Sequence, residues 1–102
     1  MEKRRPHYSL AEVKAMALKK GPLAFTRTAR ESIRMMGLSL DIALNVIAEL
    51  GTSCFYKSMT THADHRIWQD VYHAPTQAGM AYIKVTLRED GAVVISFKRL
   101  DS

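Results

Sequence analysis

The sequence predicts an α+β fold in which N-terminal helices pack on a twisted, antiparallel meander of β-strands. Apolar residues recur at helical spacing through the first half of the chain and at alternate positions through the second half. Helices that precede a run of strands are typical of the α+β class. A chain of 102 residues has room for one hydrophobic core, so residues 1–102 are predicted to form a single domain.

Three helices are predicted in the first half, each from a capping residue at its start and a glycine at its end. The bounding residues of the three helices are Ser9 and Gly21, Thr28 and Gly37, and Ser39 and Gly51. The first two starts have a glutamate three residues later, at Glu12 and Glu31, which completes a capping box. The apolar stretch 23–25 between these two helices is predicted to be a brief strand.

Four strands are predicted in the second half, where apolar and polar residues alternate. Their predicted ranges are 55–61, 67–73, 80–88 and 92–98. The last two ranges alternate most regularly. In the fourth range, Val93, Ile95 and Phe97 are predicted to face the core, and Val94 is predicted to face outward.

Loop length determines which residues of neighbouring strands lie opposite each other. A three-residue loop that ends at Gly91, with this glycine in the left-handed conformation, places Tyr82 opposite Lys98. A six-residue loop before the third strand places Gln69 opposite Lys84.

A five-residue loop after the first strand places Lys57 opposite Val71. Together, the three registers predict that five polar side chains share one face of the sheet. These side chains are Lys57, Gln69, Tyr82, Lys84 and Lys98. In the same register Asp70 points towards the core, where its carboxylate would need a hydrogen-bonding partner.

The chain is basic, with a formal net charge of +5. Such a charge attracts nucleic acid, anionic lipid or an acidic protein, and alone it does not distinguish among them. No apolar run approaches the roughly 20 residues that span a bilayer. The basic start of the chain lacks the apolar core of a signal peptide, and Cys54 is the single cysteine, so a cytoplasmic location is expected.

The predicted polar face has the residue types needed to cleave RNA without a metal ion. The ribose 2′-OH can attack the adjacent phosphate if one group removes its proton, while others stabilise the transition state and protonate the leaving oxygen. The lysines supply positive charge, Gln69 could hold a phosphate oxygen or a base edge, and Tyr82 could carry the proton. The crowded cations are expected to lower the pKa of both lysine and tyrosine. His65, in a neighbouring loop, is an alternative acid or base.

Each of these features also has a purely structural interpretation. Lysines on an outer sheet face are usually just solvated. Tyr56 and Trp68 could stack on bases, but large aromatic residues in strands are more often part of the core. The segment 62–65 contains two histidines and an aspartate, but no further ligands that would favour a metal site. The residues alone therefore indicate a basic α+β domain that could act on RNA.

Two runs of sequence make a more specific comparison possible. Residues 55–61 read FYKSMTT, and after Asp64 and His65 the residues 67–72 read IWQDVY. These runs closely resemble the MqsR family of toxins, which share the RelE-like ribonuclease fold. Short segments elsewhere are similar to the same family, namely 1–4, 6–7, 45–47 and 96–98. The likeness extends from end to end without large insertions.

The resemblance implies that four residues carry the activity, because their types match the functional residues of the family. They are Lys57, Gln69, Tyr82 and Lys98. Further candidates for RNA binding are Lys84, Tyr56, His65 and Arg88. Two places depart from the family pattern. One is His62, and the other is the segment 73–75, which is expected to alter the loop before the third strand.

The resemblance also implies an activity and a partner. The chain is expected to be the toxin of a type II toxin–antitoxin system that cleaves mRNA at short, GCU-like sequences without a ribosome, metal ion or other cofactor. Its partner is expected to be a zinc-containing, DNA-binding antitoxin. Two alternatives remain open at this point. The chain could bind nucleic acid without cutting it, or its basic face could serve only to bind an acidic protein partner.

Overall fold

The computed structural model describes residues 1–88 and 91–101, within which three α-helices precede the main strands of a five-stranded antiparallel sheet. The helices are α1 (Leu10–Lys20), α2 (Arg27–Met35) and α3 (Leu40–Ala48). The strands are β1 (Glu2–Lys3), β2 (Phe55–Thr60), β3 (Trp68–Thr76), β4 (Gly79–Val85) and β5 (Val94–Arg99). Their order in the sheet is the order in the chain. The predicted α+β class is confirmed, and no helix in the described part of the chain is long and apolar enough to cross a membrane.

Helices α1 and α3 begin at the predicted capping residues. The Ser9 hydroxyl accepts a hydrogen bond from the Glu12 backbone N–H at 3.3 Å, and the Ser39 hydroxyl accepts one from Ile42 at 3.1 Å. These bonds satisfy backbone donors that have no partner inside the first turn of a helix. Helix α1 ends at Gly21, whose backbone has a φ of +60°, a conformation that favours glycine.

The predicted start of α2 at Thr28 is wrong by two residues. Thr26 caps this helix, because its hydroxyl accepts a hydrogen bond from the Ala29 backbone N–H at 3.0 Å. The same hydroxyl donates to the carbonyl of Ile95 in β5 at 2.9 Å. This contact with a distant strand selects Thr26, and nothing in the local sequence reveals it.

The predicted strand at 23–25 is also wrong. Residues Gly21–Ala24 form a 3₁₀ turn with Pro22 near its start, a position where proline's fixed φ is favourable and its missing N–H costs nothing. Only Phe25 contributes a strand-like contact, an isolated parallel bridge to Val94.

Thr26→Ala is expected to lower the free energy of unfolding by about 1 to 2 kcal/mol, because the substitution removes the helix cap and the bond to β5. Thr28→Ala is the matched control, since Thr28 is exposed within α2 and should change stability by less than about 0.5 kcal/mol. Urea denaturation of both variants measures the difference. Equal effects of the two substitutions would contradict the assignment of the cap.

The helices cover one face of the sheet, here called the inner face. The apolar stripes predicted for α1 and α2 lie in the core, where Val13, Ala17, Ala29 and Ile33 are buried. From the sheet, a cross-strand row of fully buried side chains meets them. This row consists of Tyr72, Ile83 and Phe97. The hydrophobic patterns of both halves of the chain therefore converge on one core.

Asp70 points into the inner face, as the predicted register required, and is fully buried. Its carboxylate accepts hydrogen bonds from the Ser58 hydroxyl at 2.6 Å and from the backbone N–H groups of His7 and Tyr8 at 3.0 and 2.9 Å. The expected partners are thus present. They come from β2 and from the segment that precedes α1, so one carboxylate joins the chain's start to the sheet.

The register of β2 and β3 agrees with the prediction, and the register of β3 and β4 does not. Lys57 lies opposite Val71 as predicted. The predicted six-residue loop before β4 is instead a tight turn between Thr76 and Gly79, and the strand continues through residues 73–75. Residues 74–76 join β3 and only residue 79 joins β4, so the centre of the turn lies one position later and the pairing moves by two positions. Because the loop length changes by an even number, from six residues to two, the side chains of β3 and β4 stay on their predicted faces.

The register of β4 and β5 contains the predicted pair of Tyr82 and Lys98, followed by a bulge. Beyond the bulge Val85 lies opposite Val94, so Val94 is fully buried and the prediction that it faces outward is wrong. The predicted three-residue loop that ends at a left-handed Gly91 includes residues 89 and 90, which lie outside the described residues.

Candidate active site

The face of the sheet that points away from the helices, here called the outer face, carries all five predicted polar side chains. Two cross-strand rows organise it. The first row contains His73, Tyr82 and Lys98, and the second contains Lys57, Val71, Lys84 and Ser96. Gln69 lies on the same face, two residues beyond Val71 along β3. Side chains that are distant in the chain therefore project together from one surface.

The first row places a phenol between an imidazole and an ammonium group. The ring centroids of His73 and Tyr82 are 6.0 Å apart, and the Lys98 Nζ lies 5.4 Å from the centroid of the Tyr82 ring. On the other side, the Tyr56 ring stacks on His73 with a centroid separation of 4.3 Å. Tyr56 is 48% exposed, so its ring is accessible to a ligand. The row is a polar and aromatic strip that ends in a positive charge.

The second row surrounds an apolar residue with lysines. Val71 is completely buried although it points to the outer face, and its two opposite neighbours are Lys57 and Lys84. Lysine side chains commonly lay their methylene groups over apolar surface and keep the ammonium group in water. This explains why a valine is tolerated at a position where a polar residue was expected, and it raises the two ammonium groups above the sheet.

The titration of Tyr82 differs from the expectation drawn from the sequence. Burial raises the pKa of the Tyr82 phenol above its usual range, while the nearby charge of Lys57 opposes this shift. The expectation that the cations lower the tyrosine pKa is therefore wrong, because desolvation outweighs them. The pKa of Lys84 is lowered, first by burial and second by the charge of Lys98. Tyr82 is thus a neutral hydrogen-bond donor at physiological pH.

Strand β1, which the sequence analysis missed, brings a carboxylate to the edge of the outer face. The Glu2 carboxylate contacts the Lys57 Nζ at 3.2 Å, and Glu2 pairs with Met59 in the sheet. A two-residue strand is too short to show the alternation that reveals longer strands. The ion pair holds the Lys57 side chain over β2, and the Glu2 carboxylate offsets the positive charge of Lys57.

Gln69 lies on the outer face but apart from the first row. It precedes His73 by four positions along β3, which corresponds to a separation of roughly 13 Å at the usual rise of a strand. The prediction that Gln69 lies opposite Lys84 is wrong, because the turn before β4 is centred one position later than predicted and Val71 lies there. Gln69 can therefore contact a different part of an extended ligand from that contacted by Tyr82.

Comparison with known proteins was decisive for the family. The family model described as "Motility quorum-sensing regulator, toxin of MqsA" matches residues 5–99. The chain belongs to the MqsR toxin family. It is also 45% identical over 98 residues to the mRNA interferase toxin MqsR of Escherichia coli (strain K12), an alignment that covers 96% of this chain and 98% of that protein. The resemblance inferred from the sequence runs is confirmed.

The region matched by the MqsR family model includes both rows of the outer face and Gln69. The match to the family begins at residue 5, so it does not include β1 or the ion pair that Glu2 forms. The polar surface described above is thus built from the part of the chain that defines its family.

Two other candidates lie elsewhere in this MqsR-family chain. His65 is exposed in the turn between β2 and β3, eight positions from His73 along the chain and beyond Gln69. Arg88 follows the end of β4, so the strand's alternation does not carry it to the outer face. It lines a groove of about 420 Å³ with Glu12 and Lys19 of α1. The structure therefore does not bring His65 or Arg88 to the two rows.

Trp68 is not available for stacking on a base. Its ring stacks on His7 with a centroid separation of 5.1 Å, and the Lys3 Nζ lies 4.2 Å from the centroid of the same ring. Tyr8 donates a hydrogen bond to the Trp68 carbonyl at 3.1 Å. These contacts support a structural role for Trp68.

His73 is the outer-face residue whose importance the sequence analysis missed. It was assigned to the end of a strand, next to a segment expected to be a loop. The tight turn at Thr76 and Gly79 extends β3 and places His73 directly opposite Tyr82. The alternation of Gln69, Val71 and His73 along one strand was the signal that could have found it.

The histidines and aspartate of segment 62–65 do not form a metal site. Among the described residues, no group of three or more histidine, cysteine, aspartate or glutamate side chains is close enough to hold a metal ion. The Asp64 carboxylate instead accepts two hydrogen bonds from the Arg66 guanidinium, both at 3.1 Å. These hydrogen bonds hold the pKa of the Asp64 carboxyl below its usual value.

Proposed function

We propose that the outer face of this MqsR-family toxin is an active site that cuts single-stranded mRNA through attack by the ribose 2′-OH. The chain is an mRNA interferase toxin, given its family and its 45% identity to the Escherichia coli mRNA interferase toxin over nearly the full length of both. The observation that carries the proposal is the direct pairing of Tyr82 with Lys98, next to the row that holds Lys57 and Lys84.

The proposed reaction places the scissile phosphate over Tyr82. The 2′-oxygen attacks phosphorus, the bond from phosphorus to the 5′-oxygen breaks, and the transition state carries additional negative charge on the phosphate oxygens. Lys57, Lys84 and Lys98 oppose that charge. Lys57 can turn from Glu2 to the phosphate, because the side chains of this ion pair are 26% and 61% exposed and such partly solvated pairs are weak.

Tyr82 contributes as a neutral hydroxyl. A phenol with a raised pKa donates a hydrogen bond to a phosphate oxygen and can give its proton to the leaving 5′-oxygen, but it is a poor base. Of the four residues suggested by the resemblance, Gln69 has a different role, because it lies roughly 13 Å along β3 from the first row. We assign it to a neighbouring nucleotide, where its amide can bond a base edge.

Tyr56 and the remaining RNA-binding candidates extend this assignment. The accessible ring of Tyr56 can stack on a nucleobase, a contact that tolerates any base because every base has a flat face. His65 lies beyond Gln69 on the path of a strand of RNA that follows β3. Arg88 is given no part in cutting, because it lines the groove beside α1.

Several finer features of the function belong to the proposal. Cutting is expected to need neither a ribosome nor a metal ion, and to favour short, GCU-like sequences. The antitoxin partner, named MqsA in the description of the family, is expected to contain zinc and to bind DNA, and the pair is expected to be cytoplasmic. The architecture of three helices on an antiparallel sheet is expected to be a member of the RelE-like ribonuclease fold.

Incubation of the purified chain with naked mRNA in the presence of EDTA tests this function. We expect fragments of defined size to accumulate, because every group that the reaction uses is a side chain of the outer face. A requirement for added metal ion or for ribosomes would contradict the proposal. Intact RNA after long incubation, together with salt-sensitive binding, would instead support a protein that acts by covering RNA.

A further inference from the structure

We propose that His73 is a catalytic residue of the proposed ribonuclease site and that its imidazole accepts the proton of the attacking 2′-OH. This inference rests on the proposed function, because it names the base for that reaction. It begins from the position of His73, which is the direct cross-strand neighbour of Tyr82 and shares a row with Lys98.

Among the residues that the structure describes, His73 is the group of the outer face best suited to be the base. The other polar side chains in the two rows and at Gln69 are ammonium groups, a phenol, a hydroxyl and an amide. Ammonium groups have no lone pair to accept a proton, and an amide is not basic. The carboxylate of Glu2 lies at the edge of the sheet and is paired with Lys57. Imidazole is the side chain that accepts protons most readily near neutral pH.

The geometry allows His73 and Tyr82 to act on the same phosphodiester. Their ring centroids are 6.0 Å apart, and the rings are tilted by 41° relative to each other. A phosphodiester that lies over the solvent-facing edges of the two rings can form hydrogen bonds of about 2.8 Å with a ring nitrogen of His73 and with the Tyr82 hydroxyl. Tyr56 stacks on the opposite side of His73, with an interplanar angle of 21°, and holds the imidazole in place.

The proposed step transfers one proton to His73 and one proton to the leaving oxygen. Neutral His73 takes the proton as the 2′-oxygen forms its bond to phosphorus. The bond from phosphorus to the 5′-oxygen breaks, and the leaving oxygen receives a proton from Tyr82 or from Lys98, which flank the same space. The products are a 2′,3′-cyclic phosphate and a 5′-hydroxyl. Solvent then returns both side chains to their starting states.

The charges that face His73 are mainly positive. They come from Lys57 of β2, Lys84 of β4 and Lys98 of β5, while Tyr56 and Tyr82 turn their phenol rings towards it. These three lysines oppose the negative charge that develops on a phosphate bound beside His73.

The test compares His73→Phe with the unsubstituted protein in single-turnover cutting of naked RNA, in EDTA, across the range in which histidines titrate, about pH 5 to 8. Phenylalanine keeps a flat ring against Tyr56 and removes the ring nitrogens. We expect the variant to cut about 100-fold more slowly at neutral pH, and to lack the increase in rate with pH that the unsubstituted protein shows in this range. His62→Phe is the matched control, since His62 is exposed in the turn after β2, and it should keep both rate and profile.

Binding of the same RNA sequence in 2′-O-methylated form separates catalysis from binding and from folding. This RNA lacks the attacking hydroxyl, and we expect His73→Phe to bind it within a few-fold of the unsubstituted protein. An unchanged rate and pH profile for His73→Phe would overturn the inference alone, as would weakened binding with an unchanged maximal rate. Absence of cutting by the unsubstituted protein would overturn the proposed function, and this inference with it.

Discussion

Tyr82→Phe is expected to slow RNA cutting by about 100- to 1,000-fold, the usual loss when a hydrogen-bond donor to a developing charge is removed. The substitution deletes one oxygen and keeps the ring that lies 5.4 Å from the Lys98 ammonium. Because the hydroxyl is assigned to the transition state, the maximal rate should fall while the affinity for RNA changes little. Single-turnover rates over a range of protein concentrations separate the two quantities.

Tyr72→Phe is the matched control for this variant. Tyr72 belongs to the same sheet and is adjacent to His73, but it points to the inner face and is completely buried. Its hydroxyl has no hydrogen-bond partner among the described residues, and burial raises the pKa of this phenol to about 12. Removal of that hydroxyl should leave RNA cutting unchanged. Equal loss of activity in both variants would contradict the assignment of the outer face.

Asp70→Ala is expected to lower the free energy of unfolding by about 3 kcal/mol. The buried carboxylate accepts hydrogen bonds from the Ser58 hydroxyl and from the backbone N–H groups of His7 and Tyr8, and each donor would lose its acceptor. Asp70→Asn retains one acceptor oxygen, so its effect should be intermediate. Urea denaturation gives the unfolding free energies.

Asp101→Ala provides the control for these variants, because Asp101 is exposed near the end of the described chain. Its effect should be below about 0.5 kcal/mol, the range for surface substitutions away from special features. A loss of less than about 1 kcal/mol for Asp70→Ala would mean that the start of the chain is not held to the sheet by this carboxylate.

The fold class, the helix starts at Ser9 and Ser39, and the shared face of Lys57, Gln69, Tyr82, Lys84 and Lys98 could be predicted from the sequence. The caps depend on residues only three positions apart, and the faces depend on the parity of the loops. Parity explains why the face survived an error in the turn before β4, where the predicted length was wrong by an even number.

Two further errors, at Thr26 and Val94, share one physical cause, which is that contacts distant in the chain decided the local structure. Thr26 caps α2 because its hydroxyl also reaches the Ile95 carbonyl. Val94 turns inward because a bulge between Lys84 and Val85 shifts the pairing with β5. Neither the capping pattern near Thr28 nor the alternation of the last strand contains this information.

Which of the predicted side chains share the outer face could be predicted, but their full arrangement could not. Loop parity placed Lys57, Gln69, Tyr82 and Lys98 on one face, and the structure brings Tyr82 and Lys98 into direct opposition. That these four residues carry the activity stays a prediction from the resemblance. The distance of Gln69 from that pair and the central position of His73 depend on a turn length that the sequence pattern left ambiguous. The raised pKa of Tyr82 depends on burial, which neighbouring charges alone do not predict.

The chemical ends of the RNA fragments test the central claim most directly. If the outer face promotes attack by the ribose 2′-OH, fragments made by the purified chain in EDTA carry a 2′,3′-cyclic phosphate on one side of each cut and a 5′-hydroxyl on the other. Fragments with a 3′-hydroxyl and a 5′-phosphate would show that water, not the ribose, attacks phosphorus. That result would contradict the roles assigned to Tyr82, Lys98 and His73.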